Sequence, residues 1–272
     1  MLETIRPGAA APGARAALFD FDGTLSLIRS GWLEIMLDMI VETLAPLAPG
    51  ESAEQLRAQA LELVWPHTGK DTIYQMIAFA GAVRARGGTP LDPEAYKQRF
   101  LEALFRVSDQ RTTDLREHRC PPDQYLVPGA RALLEDLRAR GMTLYLASGT
   151  DHVRLQEEAA LLDIARYFDG GIYGALPDPG AFSKAMLIAR IAGAPGMHAS
   201  LLIGFGDGPT ETEETHRAGA LAVGLATDEP ECRVPSPFKR RSLIASGADY
   251  IIPNYLCRRT LLPLLLAQHE PL

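Results

Sequence analysis

The stretch Leu18-Phe19-Asp20-Phe21-Asp22-Gly23-Thr24-Leu25 decides how this chain of 272 residues is interpreted. It overlaps an apolar run, Ala16 to Phe19. That run is continuous rather than alternating with polar residues, which is typical of a buried parallel strand. Gly23 allows the chain to turn sharply away from the strand. Ligands of open α/β sheets bind at the carboxyl ends of the strands, so Asp20 and Asp22 are predicted to face a ligand.

Two neighbouring carboxylates repel each other unless a cation or a shared proton lies between them. The pair Asp20 and Asp22 therefore predicts a metal or proton site. The alternative is an ordinary Asp-Gly turn that carries a solvated acid. The continuous apolar strand directly before the pair favours the ligand site over the simple turn.

Three further segments place polar residues next to predicted strands or helices. Leu144 to Thr150 is an apolar strand that ends in Ser148 and a glycine, and Leu201 to Glu211 is a strand followed by an acidic loop. Lys184 opens a stretch with helical spacing. Alone, such a serine is usually a turn or cap and such a lysine a solvated charge. Right-handed crossovers would bring these segments to one edge of a parallel sheet.

The spacing of strands and helices predicts two structural parts. More than a hundred residues separate Asp22 from the next strand-like run, Thr143 to Ala147. Four segments in this interval have helical apolar spacing, at Trp32–Ala45, Ser52–Val64, Thr72–Arg86 and Pro93–Arg106. The remainder alternates helices with strands at 171–174, 201–205, 221–225 and 250–252. This pattern predicts a doubly wound parallel α/β sheet with an inserted α-helical domain.

These four segments, in this order, resemble the haloacid dehalogenase-like (HAD) superfamily of phosphotransferases, and the resemblance spans residues 15 to 255. It is closest to the phosphatase branch whose helical cap follows the first motif, similar to phosphoglycolate phosphatase and β-phosphoglucomutase. The resemblance implies a Rossmann-like core at 15–27 and 122–272, with a helical cap at 28–121. Residues 1–14, rich in Ala, Pro and Gly, are expected to form a flexible tail.

The resemblance also implies a mechanism. Asp20 is expected to attack phosphorus and form an aspartyl-phosphate, while Asp22 acts as general acid and then as general base. Mg²⁺ is expected to bind Asp20, the main-chain carbonyl of Asp22, and Asp207. Glu211 stands where the family often has an acid, and would bind the metal directly or through water.

The phosphoryl oxygens are expected to contact five residues. The Ser148 hydroxyl and the Gly149 amide would donate hydrogen bonds to them, and Lys184 would offset the charge of the phosphate and of the nucleophile. The amides of Gly23 and Thr24 could add to this cradle.

Substrate contacts are expected from the cap. Arg29, His67 and Lys70 are the candidates, because an acidic chain needs local positive charge to hold an anion; the alternatives are a capped turn for His67 and solvated charge for the other two. Thr150 or Asp151 is expected to cap the next helix. The resemblance favours a sugar phosphate, such as a heptose phosphate, as substrate.

Two other functions remain open. One is a phosphomutase of the β-phosphoglucomutase type, which requires the phosphorylated Asp20 to persist through a turnover. The other is a non-catalytic protein that binds phosphometabolites. The presence of Asp20, Asp22, Lys184 and Asp207 argues against the second. Metal-dependent turnover of p-nitrophenyl phosphate would distinguish an enzyme from a binding protein.

Composition restricts the partners and the location. The formal charge is −7 and no basic run exceeds Lys239-Arg240-Arg241, which argues against nucleic-acid binding. The cysteines Cys120, Cys232 and Cys257 form no C-x-x-C pair, and a reduced cytosol is the simplest location. We expect neither a secretory signal nor a membrane span. The expected partner is a small phosphorylated metabolite, and the oligomeric state is not specified by the sequence.

Overall fold

The structure is a computed structural model that describes residues 2–68, 71–176 and 182–267. Its centre is a sheet of seven strands in the order β1-β7-β6-β5-β2-β3-β4, parallel except for β1 against β7. The strands are β1 Glu3–Thr4, β2 Ala16–Phe19, β3 Thr143–Asp151, β4 Gly171–Ala175, β5 Leu202–Gly206, β6 Leu221–Leu225 and β7 Tyr250–Ile252. The predicted parallel α/β sheet is therefore confirmed.

Strand β2 lies inside the sheet, between β5 and β3, and is buried along its whole length. Its last residue, Phe19, is in register with Leu146 of β3 and Phe205 of β5. Because the three strands run parallel, the residues that come just after Phe19, Leu146 and Phe205 lie toward the same edge. This register brings Asp20, Ser148 and Asp207 to one place, as predicted.

Helices cover both faces of the sheet. They are α5 Ala130–Ala139, α6 His152–Leu161, α7 Lys184–Ala192, α8 Pro209–Arg217, α9 Pro237–Ala245 and α10 Arg258–Leu265. Ala17 and Phe19 pack into a core with the apolar faces of α5, α6 and α10. Ala16 and Leu18 point to the opposite face, where they pack against α7. The continuous apolar sequence of β2 is thus explained by burial on two sides.

Four helices form the predicted insertion between β2 and β3: α1 Trp32–Leu44, α2 Ala53–Val64, α3 Ile73–Ala85 and α4 Pro93–Arg116. They have a hydrophobic cluster of their own, which includes Met36, Phe79 and Phe100. Helix α4 extends past its predicted end at Arg106 to Arg116, and Leu115 already packs into the core of the sheet. The polar Ser108 and Thr112 occupy buried positions of this last part, so apolar spacing did not reveal it.

The prediction of a flexible tail was wrong for the first part of the chain. Glu3 and Thr4 form an antiparallel edge strand against β7, and Ala9 and Ala11 are buried in the main core. The Glu3 side chain forms an ion pair with Arg240. A strand of two residues is too short for a recognisable alternation, and small alanines give a weak apolar signal, so the sequence pattern missed both.

Candidate active site

The first motif leaves the sheet through a tight turn. The Asp20 amide still donates to the Phe205 carbonyl of β5, at 2.9 Å. Gly23 then adopts φ +70°, a conformation that favours glycine, and its carbonyl accepts a hydrogen bond from Thr227 Oγ1 at 3.0 Å. A Cβ on Gly23 would lie 2.2 Å from Asp207 Oδ2. The glycine is therefore needed both for the turn and for the space that Asp207 occupies.

Three buried carboxylates meet at the ends of β2 and β5. Asp20, Asp207 and Glu211 each offer one oxygen, and these oxygens lie within 4.8 Å of one another. The Asp22 side chain is not part of this group and points instead to Arg29. Carboxylate oxygens of this kind suit a hard divalent cation such as Mg²⁺. The structure thus brings together three of the four predicted metal ligands by their side chains, and the role of the Asp22 carbonyl stays a prediction.

Two buried lysines neutralise part of this charge. Lys184 Nζ lies 2.7 Å from Asp20 Oδ1 and 3.3 Å from Glu211 Oε2. Lys239 Nζ, from α9, lies 2.7 Å from Asp207 Oδ2 and 2.7 Å from Glu229 Oε1. Burial alone would lower the pKa of both lysines, but the neighbouring carboxylates outweigh it and raise each pKa above its usual value. Both lysines are therefore fixed cations of the site.

The acids outnumber the lysines. Burial raises the pKa of Asp20 to about 8 although Lys184 acts in the opposite direction. Burial likewise raises the pKa of Asp207 to about 7 in spite of Lys239. With all groups ionised, four carboxylates and two ammonium groups leave a formal charge of −2: Asp20, Asp207, Glu211, Glu229, Lys184 and Lys239. A divalent cation would balance this charge, so the residues present fit Mg²⁺.

Asp22 is held by three hydrogen bonds. Arg29 Nη1 donates to Asp22 Oδ1 at 2.9 Å and to Oδ2 at 3.1 Å, and Thr150 Oγ1 donates to Oδ2 at 3.0 Å. Arg29 Nη2 donates to Glu158 Oε1 at 2.8 Å. The prediction that Arg29 serves as a substrate contact did not anticipate this burial between two acids. Asp151 caps α6 as expected, whereas Thr150 binds Asp22.

The phosphate cradle differs in part from the prediction. Ser148 and Gly149 lie within β3, where its register against β4 shifts, and both line the cavity that Asp20 also lines. The Gly23 amide, however, donates to the Ser26 carbonyl at 3.0 Å, and the Thr24 amide to the Phe21 carbonyl at 3.3 Å. The two amides that were predicted to bind phosphate therefore donate to carbonyl groups of the same turn instead.

A cavity of about 580 Å³ joins this site to the helical insertion. Asp20, Ser148 and Asp207 line it from the sheet. The insertion contributes apolar and polar walls, with Trp32, Met36, Phe100, Leu104, Phe105, Asp71, Thr72, Gln75, Glu94 and Lys97 among its lining residues. Of the three predicted substrate contacts in the insertion, Arg29 lines the cavity, His67 does not, and Lys70 lies outside the described residues.

With this geometry established, comparison with known proteins identifies the family. Residues 14–213 match the sequence model of the haloacid dehalogenase-like hydrolases. The chain belongs to the haloacid dehalogenase-like hydrolase family. The resemblance inferred from the four motifs is thus confirmed. A search of curated proteins found no matching sequence.

Solved structures of similar fold come from several bacteria. A predicted phosphoglycolate phosphatase from Haemophilus somnus 129pt is 18% identical, with a TM-score of 0.59 over 92% of this chain and 98% of that one. A HAD family hydrolase from Deinococcus radiodurans R1, solved with bound phosphate and sodium, is 18% identical, with a TM-score of 0.55 over 93% and 98%. A Bacteroides vulgatus protein provisionally described as a β-phosphoglucomutase is 18% identical, with a TM-score of 0.53 over 94% and 91%. At this identity the likenesses show the shared fold.

Sequence reasoning missed several members of this HAD site. Lys239, Glu229 and Thr227 lie beyond the fourth motif, and nothing in their spacing distinguishes them from surface residues. Glu158 was equally hard to predict, since it lies inside a helix that carries other charges.

No helix in the described part of the chain is long and apolar enough to cross a bilayer.

Lys239→Met should destabilise the protein strongly in the absence of metal. The substitution leaves the buried Asp207 and the partly buried Glu229 without their cation, and the free energy of unfolding should fall by about 3–5 kcal/mol. Urea unfolding in EDTA measures this change. Lys97→Met, which breaks a partly exposed pair with Asp71, is the matched control and should cost no more than about 1 kcal/mol. Equal losses in the two variants would contradict the assigned role of Lys239.

Gly23→Ala should weaken the binding of a divalent cation by the three acids, with Mg²⁺ as the test ion. The new methyl group would collide with Asp207 and move it from the other acids, so Mg²⁺ affinity should fall by about 10- to 100-fold in isothermal titration. Gly8→Ala is the control, because Gly8 also has a positive φ, of +79°, but a Cβ added there would have no atom within 4 Å. Undiminished Mg²⁺ binding by Gly23→Ala would show that Asp207 is not a ligand.

Proposed function

We propose that this protein is a Mg²⁺-dependent phosphomonoesterase that acts through an aspartyl-phosphate on a small phosphorylated metabolite. The substrate class that we propose is a sugar phosphate, with heptose phosphates as one candidate group. We further propose that residues 28–121 act as a cap over a core of residues 15–27 and 122–272, and that the enzyme works in the cytoplasm.

One observation supports this proposal above the others. A buried aspartate that directly follows the interior strand β2 lies 2.7 Å from a buried lysine and within a group of acids suited to a divalent cation, at the wall of a cavity of about 580 Å³. Phosphate monoesters are anions, so an enzyme must offset charge before a carboxylate can approach phosphorus. The cluster of Lys184, Asp207 and Glu211 around Asp20 provides a means to do so.

In the first half of the reaction, Asp20 attacks phosphorus and the bond from phosphorus to the leaving oxygen breaks. Asp22 gives its proton to that oxygen, so that an alcohol departs. Lys184 lies 2.7 Å from Asp20 and Ser148 lines the same cavity, and both would hold the phosphoryl oxygens. Bound Mg²⁺ would supply Lewis-acid charge stabilisation at the phosphoryl group.

In the second half, water hydrolyses the aspartyl-phosphate. Asp22, now ionised, removes a proton from this water, the new bond from oxygen to phosphorus forms, and the bond to Asp20 breaks. Inorganic phosphate leaves, and both aspartates return to their starting protonation states. Lys184 remains paired with the Asp20 carboxylate that is restored.

The remainder of the substrate would lie against the insertion. Asp71, Thr72, Glu94 and Lys97 line the cavity and can form hydrogen bonds with the hydroxyl groups of a sugar, while Trp32 and Phe105 provide apolar surface. Binding energy from these groups can be used to position the phosphate. Lys70, which lies outside the described residues, stays a candidate contact.

Asp20→Asn tests the nucleophile directly. A neutral amide cannot form the aspartyl-phosphate, so turnover of p-nitrophenyl phosphate with Mg²⁺ should fall by at least about three orders of magnitude, to the level of wild-type enzyme in EDTA. Asp38→Asn, an exposed aspartate of α1, is the matched control and should keep wild-type turnover. Asp20→Asn activity within about tenfold of wild type would remove Asp20 from this role. Turnover that requires a sugar bisphosphate and yields a transferred phosphoryl group would instead indicate a phosphomutase.

Lys97→Met tests the substrate class. If Lys97 binds the sugar, kcat/KM for the preferred sugar phosphate of a metabolite panel should fall about tenfold, because one charge-assisted hydrogen bond is lost. Hydrolysis of p-nitrophenyl phosphate should change much less. Arg106→Met on the same helix is the control, since Arg106 is exposed and does not line the cavity. Equal losses with both substrates would place the effect of Lys97 in folding instead.

A further inference from the structure

Arg29 is bound on two sides by acids and is buried. Its Nη1 donates to both oxygens of Asp22, and its Nη2 donates to Glu158 Oε1 at 2.8 Å. Only 7% of the Arg29 side chain is exposed. Both terminal nitrogens are therefore engaged inside the protein. This arrangement leaves Arg29 poorly suited to bind the substrate, and well suited to hold Asp22.

Glu158 is a buried acid whose partners are arginines rather than solvent. It lies on α6 with 1% of its side chain exposed, and it does not line the cavity. Glutamates are rarely buried this completely unless they are paired. Its Oε1 accepts hydrogen bonds from Arg29 and, at 3.0 Å, from Arg154 Nε. Glu158 thus fixes the guanidinium that in turn fixes Asp22.

The main chain around Arg29 is also held. Arg111 of α4 donates from Nη1 to the carbonyls of Leu27 at 3.2 Å, Ile28 at 2.8 Å and Ser30 at 2.9 Å. These residues form the link from the sheet into the insertion. Since the carbonyls on both sides of Arg29 are bound and its side chain is bound by Glu158, the arginine has little freedom to move.

We propose that Glu158 and Arg29 are positioning residues, which orient the Asp22 carboxylate for proton transfer to the leaving oxygen. This inference rests on the proposed function, in which Asp22 is the general acid. Arg29 Nη1 contacts both oxygens of Asp22 and Thr150 Oγ1 binds Oδ2, so the carboxylate is held at both of its oxygens, which a single hydrogen bond does not achieve. Glu158 balances the charge of Arg29, so Asp22 does not face an uncompensated buried cation.

The same chain of contacts reaches the insertion. Arg154 donates to Ser108 Oγ at 3.3 Å, forms an ion pair with Asp109, and lies 3.9 Å from the centre of the Phe105 ring. All three partners belong to α4, which also carries Arg111. The orientation of Asp22 therefore depends on contacts that begin on the insertion and pass through Arg154, Glu158 and Arg29.

Glu158→Gln tests this inference through the leaving group. An alkyl phosphate releases a basic alkoxide that requires a proton, whereas p-nitrophenolate leaves without one. The rate of the first turnover, measured by rapid quench, should therefore fall about 10- to 100-fold with glycerol phosphate and much less with p-nitrophenyl phosphate. Steady-state rates can fall with both substrates, because Asp22 also activates the water of the second step.

Matched variants separate the possible outcomes. Glu157→Gln, an exposed neighbour on α6 paired with Arg116, should behave as wild type. Asp22→Asn should show the same dependence on leaving group, and the double variant Asp22→Asn/Glu158→Gln should lose no more than Asp22→Asn alone. If Glu158→Gln is too unstable to purify, Arg29→Met/Glu158→Gln removes both buried charges and should reproduce the dependence.

Two results would overturn the inference while leaving the proposed function intact. One is an equal loss with both substrates in Glu158→Gln, while Asp22→Asn still discriminates between them; the other is additive losses in the double variant. Absence of metal-dependent hydrolysis by the wild-type enzyme would instead overturn the proposed function itself.

Discussion

The burial of several carboxylates at one edge of the sheet is the constraint on which the rest of this structure depends. Asp20, Asp207 and Glu211 are almost fully buried, and ionised groups in that setting are costly unless cations accompany them. Lys184 and Lys239 each bridge two of the acids around the site, counting Glu229. The two lysines offset only part of the charge, which makes the site a natural location for a divalent cation.

This concentration of charge requires close approach of the backbone. Gly23, Gly206 and Gly208 lie where a Cβ would collide with Asp207 or Glu211, at separations of 2.2, 2.1 and 2.8 Å. The absence of side chains at these positions allows the carboxylates to meet. The register of β2 with β5 then sets which acids face each other, because Phe19 pairs with Phe205. Glycine placement and strand register together determine the geometry of the acid group.

The helical insertion is tied to the core by charges as well as by chain connectivity. It has its own hydrophobic cluster, and its long helix α4 returns the chain to the sheet. Along this helix, Arg111 binds the carbonyls of the entry link and Asp109 binds Arg154. The insertion therefore supplies a wall of the cavity and also supports the residues around Asp22. A substrate that contacts this wall would contact helices that are linked to Asp22, the proposed general acid, through Arg154, Glu158 and Arg29.

The sequence by itself determined the alternation of strands and helices from β2 to β7, the helical insertion, and the polar residues that directly follow apolar runs. Asp20, Ser148 and Asp207 were predictable because each closely follows an apolar run of the sequence, and parallel strands end at a common edge. Lys239, Glu158 and the pairing of Arg29 were decided only by the tertiary structure. Charged residues inside helices and loops carry no period that marks a partner, and their partners are up to 129 residues away in the chain. The hydrogen bonds of the Gly23 and Thr24 amides were likewise beyond prediction, because which amides remain available depends on the carbonyls that folding brings within reach.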